Sequence, residues 1–324
     1  MHILVAGGAG YIGSCTTEYL LNQGHQVTVF DALLNGHRSA VDPRATFIKG
    51  NLADLDAIEA AVEYAKPDGI IHFAAFIEVG ESMHNPLKYF RNNVANAINL
   101  CQAAVDNGVN KVVFSSTAAV YGIPEHFPIN EKEPKAPINP YGDSKLMFEK
   151  VLDWQWRQCR KLKYTALRYF NAAGATEAHG EDHDPETHLI PLVMKAAIGE
   201  RPSITVFGSH YPTPDGTCIR DYVHVLDLAQ AHLLALQSDF CGSLNLGTGS
   251  GHSVQEVIDC VKRVSGRDFA IEYHEPRAGD PARLVADSTA AREILGWKPQ
   301  FEDLDAIVES AWKWKMAHPH GYED

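Results

Sequence analysis

The sequence predicts an α/β protein with a doubly wound parallel sheet and a smaller C-terminal α/β lobe. Three observations carry this expectation. Short apolar runs alternate with longer helical patterns through the first half, which is the rhythm of βαβ units. A glycine-rich turn, Gly7-Gly8-Ala9-Gly10-Tyr11-Ile12-Gly13, joins the first apolar run to the first helical stretch. After Asn171 the rhythm gives way to long segments rich in Gly, Pro, His and acids, followed by a helical tail.

Strands are expected at residues 2–6, 26–30, 46–48, 70–73, 111–115 and 164–167, with helices between them at about 11–22, 54–64, 86–107 and 140–161. Asp56 and Glu59 are spaced for a capping box, Pro86 suits a first helical turn, and Gly108 can end the helix before it. Residues 174–221 read as long loops around one helix at about 191–199, and such loops in a compact protein are usually functional. A helix at 225–237 and a strand at 243–246 return to the sheet. Helices near 254–265, 288–295 and 304–315 complete the tail. The chain thus divides into residues 1–174, with the return segment at about 219–248, and a second lobe made of 175–218 and 249–324.

With 324 residues, 45% of them hydrophobic, the chain can bury a full core and exceeds one ordinary domain. A formal net charge of −13, without a Lys/Arg-rich run, excludes a nucleic-acid footprint. An anionic substrate stays compatible, because salt screens the distant acidic surface over about 8 Å and a few local cations then decide. The six cysteines are dispersed, without a zinc-like spacing, and read as free thiols of a reducing cytoplasm. No stretch approaches the ~20 apolar residues of a membrane span, and the first residues lack the pattern of a signal peptide. A soluble protein without membrane contact is expected.

The glycine turn contains G-x-G-x-x-G and also a G-x-x-G-x-x-G reading through Gly7, Gly10 and Gly13. Glycines here allow a tight turn and let the backbone approach a pyrophosphate at the helix N-terminus. Such a turn alone is weak evidence. The strand before it, the helix after it and Asp31 at the end of the second strand strengthen it, since a carboxylate there accepts from a ribose 2′-hydroxyl and repels the extra phosphate of NADP. NAD is therefore the expected cofactor.

Tyr141-Gly142-Asp143-Ser144-Lys145 opens a predicted helix, so Tyr141 and Lys145 lie on one face. Any exposed Tyr and Lys four apart would look the same in isolation. After a dinucleotide-binding half, and after a strand that runs into Ser115-Ser116-Thr117, the pair becomes a candidate base with a hydroxyl partner. Lowering a phenol from ~10 to near 7 needs ~4 kcal/mol of preferential phenolate stabilisation, which a lysine ammonium and a cationic nicotinamide can supply together.

Together these features resemble the extended short-chain dehydrogenase/reductases, which are Rossmann-type proteins. Within that superfamily, Val120-Tyr121-Gly122, Asn139-Pro140-Tyr141-Gly142, Leu167-Arg168-Tyr169-Phe170-Asn171, Arg220-Asp221-Tyr222-Val223-His224-Val225 and Asn245-Leu246-Gly247 resemble the UDP-galactose (UDP-glucose) 4-epimerases. The resemblance spans the chain from its first strand to its last helix. It implies a dinucleotide-binding first domain and a UDP-sugar-binding lobe. Gly7, Gly10, Tyr11, Ile12, Gly13, Asp31, Asn35, Asn51, Leu52, Phe73, Asn92 and Phe170 would line the NAD site, with Tyr141 and Lys145. Thr117, Tyr141 and Lys145 would be catalytic. Asn171, Leu189, Thr205, Phe207, Arg220, Arg277, Asp280 and Leu284 would hold UDP-galactose or UDP-glucose. Arg220 and Arg277 can fork onto phosphates, and Phe207 offers uracil an apolar face. In isolation Arg220 would be read as a surface ion pair with Asp221.

The resemblance further implies that Tyr141 takes the proton of the sugar 4-hydroxyl while C4 gives its hydride to NAD. The resulting 4-keto sugar then turns over and takes the hydride back on its other face. Four positions depart from the family pattern: Asn51 stands in place of an acid near adenine, Ile77 in place of a lysine, Thr117 in place of a serine, and Leu284 where tyrosine or small residues occur. The alternative substrates are a UDP-N-acetylhexosamine, UDP-pentose or UDP-uronate. A 4,6-dehydratase would need carboxylates after Thr117, where Ala118 and Ala119 stand instead. A non-enzymatic NAD-binding regulator would not need Tyr141, Lys145 and Thr117 together. The stretch His179-Gly180-Glu181-Asp182-His183-Asp184-Pro185-Glu186-Thr187-His188 offers metal ligands at a spacing that matches no metal signature, so it reads as a solvated loop and no metal is expected. Leu146, Phe148, Val151, Leu152, Trp154 and Trp156 give one helix more apolar surface than a single stripe needs, and with the resemblance this suggests a homodimer through a four-helix contact.

Overall fold

The computed structural model describes residues 1–277 and 279–323. Its first half is a run of βαβ units: β1 (His2–Ala6), α1 (Tyr11–Asn22), β2 (Gln26–Asp31), β3 (Thr46–Lys49), α2 (Leu55–Ala65) and β4 (Gly69–His72). Then follow α3 (Val79–His84), α4 (Pro86–Tyr89), a π-helical turn (Phe90–Asn96), α5 (Ala97–Asp106), β5 (Lys111–Thr117), α6 (Pro140–Cys159) and β6 (Lys163–Tyr169). The second half adds β7 (Asn171–Ala173), α7 (Leu189–Ala197), β8 (Ser203–Phe207), β9 (Ile219–Arg220), β10 (Tyr222–His224), α8 (Val225–Gln237) and β11 (Gly242–Leu246). It ends with β12 (His252–Ser253), α9 (Val254–Ser265), β13 (Ala270–His274), β14 (Arg283–Leu284), α10 (Thr289–Leu295) and α11 (Leu304–Ala317).

Seven strands form one sheet in the order β11-β6-β5-β4-β1-β2-β3, every pair parallel. The order reverses at β1, between β2 and β4. A crevice at such a switch point, outside the carboxyl ends of the strands, is where open α/β sheets bind ligands. β4 and β5 are buried along their whole length, as expected of parallel strands covered on both faces by helices. One core layer joins Ile3, Val5, Val29 and Ile71 to Leu228 of α8 and to Ala291, Leu295 and Trp297. The opposite layer joins Leu4, Ile70 and Phe114 to Ile58, Leu100 and Phe148. A third cluster, apart from the large sheet, packs α7, α9 and α11 through Val193, Ile258 and Val308 against Ile204 and Val206 of β8.

The elements depart from expectation in identifiable places. The helix beginning at residue 55 is capped by Asp54, whose carboxylate accepts from Ala57 N–H at 3.1 Å, rather than by an Asp56/Glu59 box. Asp54 is the residue still in extended conformation at the entrance, so it alone can reach back. The capping box is at α9, between Ser253 and Glu256. The expected helix at 86–107 contains a π turn, and Gly108 lies just beyond its end with φ +73°. The loops expected at 174–221 contain β8, which pairs in parallel with β13, and the short β9. α7 begins at Leu189, ahead of the expected residue 191. Among the described residues, no helix is long and apolar enough to cross a membrane, and all six cysteines are unpaired.

Candidate active site

The three glycines of the first turn differ in what constrains them. Gly7 has φ +86°, and a Cβ there would come within 2.4 Å of Ala74 N. A Cβ on Gly13 would meet Gly7 O at 2.1 Å, so this glycine lets α1 close onto the turn. Gly10 has neither problem: its nearest neighbour would be Gly7 O at 3.6 Å. Among the described residues nothing demands glycine at the N-cap of α1, and open backbone beside a helix N-terminus is the kind of cradle a pyrophosphate fills. Asp31 closes the other side. Its carboxylate accepts from Ala9 N–H at 3.0 Å and Leu33 N–H at 2.8 Å; burial pushes its pKa up and these bonds oppose the shift. These residues fit a dinucleotide.

Around the cradle, Tyr11 and Ile12 begin α1, and Tyr11 donates through its hydroxyl to Gly174 O at 2.6 Å. Leu52 is buried and Asn35 exposed. Asn51 accepts from Ala53 N–H at 2.9 Å, which leaves its amide oxygen one further lone pair. Phe73 follows β4 and tilts against His232 at 4.7 Å. Asn92 lies in the π turn, a backbone irregularity that often marks functional sites. Its neighbour Asn93, absent from the expected set, is buried and bonds Phe76 N–H, Phe76 O and the Ser144 hydroxyl at 2.9–3.1 Å. It ties the segment after β4 to α6.

Local sequence explains how Tyr141 reaches Thr117. Asn139 caps α6 by accepting from Gly142 N–H at 2.8 Å, and Pro140 occupies the first helical position. A Cβ on Gly142 would meet Ala119 O at 2.6 Å, so glycine lets the start of α6 touch the turn that follows β5. Thr117 ends β5, and its hydroxyl accepts from Ala119 N–H at 3.1 Å. Burial pushes the Tyr141 phenol up to about 12; a hydrogen bond with Thr117 pulls the other way, and the charge of Glu78 adds to the rise. Lys145 is 2% exposed, donates to Ser115 O at 2.7 Å, and holds its Nζ 5.9 Å from the Tyr141 ring centre. Burial pushes Lys145 down to about 7, with Glu149 opposing.

Glu149, one turn beyond Lys145, is a group that motif reading missed. It is buried and pairs with Arg168 Nε at 2.9 Å and Nη2 at 2.5 Å, while Ser116 donates to it at 2.5 Å. Arg168 also donates to the Tyr121 hydroxyl, which in turn donates to Asn245. Three of the recognised strings thus meet in one buried network beneath α6. Removing one partner of such a pair leaves an uncompensated buried charge, at a cost of about 3–5 kcal/mol.

On the other side of the crevice, Arg220 pairs with Asp280 at 2.5 Å and donates to Pro281 O, so its partner is not the adjacent Asp221. Asp221 is fully buried and accepts from Thr248, Gly249 and Ala286 N–H groups at 2.8–3.1 Å, an internal hub that leaves it nothing to offer the surface. The Arg277 guanidinium lies 4.2 Å over the Phe207 ring. Phe207 and Thr205 share the less buried face of β8, opposite Ile204 and Val206. The run Ser-Ile-Thr-Val-Phe carried a β-branched alternation that would have revealed this strand. Leu284 pairs in register with Arg220 and packs, with Phe170, on Val120, Tyr121 and Leu146. Asn171 donates to Asp221 O at 3.1 Å, and Leu189 opens α7.

Comparison with known proteins agrees with this arrangement. Residues 3–247 match the model of the NAD dependent epimerase/dehydratase family. The chain is 48% identical to the UDP-glucose 4-epimerase of Lacticaseibacillus casei, over 100% of this chain and 99% of that one. A solved UDP-glucose 4-epimerase superposes with a TM-score of 0.97 at 45% identity over 100% of both chains. Another, from Brucella ovis in complex with NAD, gives 0.93 at 45% identity over 96% of this chain and 97% of that one. With the glycine cradle and the Thr117, Tyr141 and Lys145 group at the carboxyl ends of the strands, these matches make the chain a member of the NAD dependent epimerase/dehydratase family.

Proposed function

We propose that the protein is an NAD-dependent 4-epimerase that interconverts UDP-galactose and UDP-glucose. The observation that carries this reading is the hydrogen bond of Tyr141 with Thr117 and the buried Lys145, 5.9 Å from the Tyr141 ring centre, in a chain whose first βα turn leaves Gly10 open. Gly7, Gly10, Gly13 and Asp31 hold the dinucleotide, with Tyr11, Ile12, Asn35, Asn51, Leu52, Phe73, Asn92 and Phe170 around it. When bound, NAD supplies an acceptor for the C4 hydride and returns it. Tyr141 takes the 4-hydroxyl proton and gives it back, Thr117 steadies that proton, and Lys145 supplies positive charge and grips the nicotinamide ribose. Arg220 and Arg277 bind the diphosphate, with Asp280 orienting Arg220. Thr205, Phe207, Leu189 and Asn171 line the uridine side. Residues 1–174 with 219–248 form the dinucleotide domain, and 175–218 with 249–324 the UDP-sugar lobe, although α10 and Trp297 lie against the sheet.

Sugar range rests on Leu284. A tyrosine here would wall the pocket off to plain hexoses and a small residue would admit an N-acetyl group; leucine lies between, so UDP-hexoses are preferred and N-acetylated forms turn over more slowly. Forcing a group into packed side chains costs about 1–3 kcal/mol. Leu284→Tyr should suppress UDP-N-acetylglucosamine turnover roughly tenfold or more and spare UDP-galactose. Equal activity of the variant on both would remove Leu284 from the sugar pocket. The protein works in the cytoplasm, where unpaired thiols persist. It does so as a homodimer whose contact is formed by α6 and the helical run from α3 to α5, where Met83, Leu87, Ile98, Met147 and Trp154 are exposed.

A further inference from the structure

The segment between β7 and α7, expected to be a solvated loop, is folded against α1. His179 is buried and pairs with Glu18 of α1 at 2.7 Å, and Cys15 lies against His179 O. Within the segment, Glu181, His183, Glu186 and His188 turn toward one another, and one ligand atom from each lies within 4.8 Å of all the others. His188 Nδ1 is 2.8 Å from Glu181 Oε1 and 3.1 Å from Glu186 Oε1. His183 Nδ1 is 3.3 Å from Glu181 Oε1 and 3.7 Å from Glu186 Oε2.

Two histidine–carboxylate ion pairs would account for half of this geometry. His188 makes an aligned hydrogen bond to Glu186. His183 Nδ1, closed to solvent, is ion-paired at 3.3 and 3.7 Å with the two carboxylates but is too distant from or too poorly aligned with either for a good hydrogen bond. A buried ring nitrogen held by charge without an aligned hydrogen bond forgoes part of the stabilisation such a bond supplies. The separations suggest what restores it. A tetrahedral zinc ion with ligand bonds of about 2.0–2.2 Å spaces its ligand atoms about 3.3–3.6 Å apart; the nitrogen–oxygen distances of 2.8–3.7 Å, through Oε1 of Glu181 and either oxygen of Glu186, lie around that edge. Two carboxylates also neutralise a divalent charge, and the two imidazoles, giving up their protons on binding, complete a nitrogen–oxygen set suited to zinc.

We propose that Glu181, His183, Glu186 and His188 form a structural binding site for a zinc-class divalent cation. All four positions are filled by protein, so no place remains for a reacting water. The site clips two functional elements together. The Tyr11 ring, at the head of α1, meets His183 edge-on with centroids 6.3 Å apart, and His188 is the N-cap residue of α7. The spacings along the sequence, i, i+2, i+5 and i+7, match no familiar signature because the ligands come from a folded loop rather than a helix.

The test uses the full chain without a histidine tag, stripped with EDTA and titrated with zinc sulfate. One equivalent of zinc per chain should bind, and the melting temperature should rise by several degrees as the folded state gains a ligand. His183→Ala and Glu186→Gln should each lose both the bound equivalent and the rise while keeping the far-ultraviolet circular dichroism of the parent. Should either variant fail to fold, an anomalous difference map at the zinc edge on parent crystals decides the matter, with a peak expected among the four side chains. Absence of stoichiometric zinc, retention of zinc by both variants, or a peak elsewhere, such as at a cysteine, would overturn the proposal.

Discussion

Tyr141 lies in surroundings that by themselves keep it protonated. Burial holds the phenol near 12 and Lys145 near 7, so a phenolate forms only when further positive charge arrives beside the ring. With Tyr141 as the proposed base, activity is conditional on a loaded site. Tyr141→Phe removes only the acid/base oxygen, and turnover should fall about 10²–10⁴-fold while fold and nucleotide content persist. Activity within tenfold of the parent would show that another group moves the proton. At this scale the sequence was most informative where spacing encodes geometry, as for Tyr141 and Lys145, or where glycine encodes close approach, as for Gly7 and Gly13. It was silent where partners are distant in the chain. Asp280 holds Arg220 from sixty positions away, and adjacency pointed instead to Asp221, whose role is internal. Glu149 and Asn93 carry no motif because their work is to position others.

Among the elements, α8 illustrates how a cap can be a pH-sensitive joint. His224 ends β10 and accepts from Leu226 N–H at 3.1 Å through Nδ1, while Nε2 meets the Ser310 hydroxyl at 3.0 Å and the ring stacks on Phe301 at 4.0 Å. Burial pushes its pKa down to about 4. A folded-state value below the unfolded ~6.5 means the unfolded chain binds the extra proton first, so stability falls as pH drops from about 6.5 toward 4. This residue alone should cost about 1 kcal/mol between pH 7 and pH 5.5. His224→Asn keeps a capping acceptor and removes the titration, so its melting temperature should decline less over that interval, as followed by circular dichroism. An identical decline would exonerate His224. The long helices were legible because their periodicity runs over many residues, and the strands of the large sheet because each is a short, largely apolar run between helical stretches. Short strands such as β9 and β14 were not, since two residues cannot display a period and their pairing is set by tertiary contact.

For the molecule as a whole, the parallel sheet brings the glycine turn and Thr117 to the carboxyl ends of its strands, while β8, which carries Phe207, packs in the third core cluster. Apolar side chains are exposed along α3 to α6, which is the surface the proposed dimer would use. Trp154 is 62% exposed on that face, and Trp154→Glu should shift the protein from twice the chain mass to the monomer mass in light scattering. A variant that remains dimeric would place the contact elsewhere. The central claim, that the C4 hydride leaves and returns to the same carbon, is tested most directly with UDP-galactose deuterated at C4, supplied to the purified protein without added cofactor. The account predicts UDP-glucose that still carries deuterium at C4, whereas deuterium lost to water, deuterium moved to C6, or unchanged UDP-galactose would contradict it.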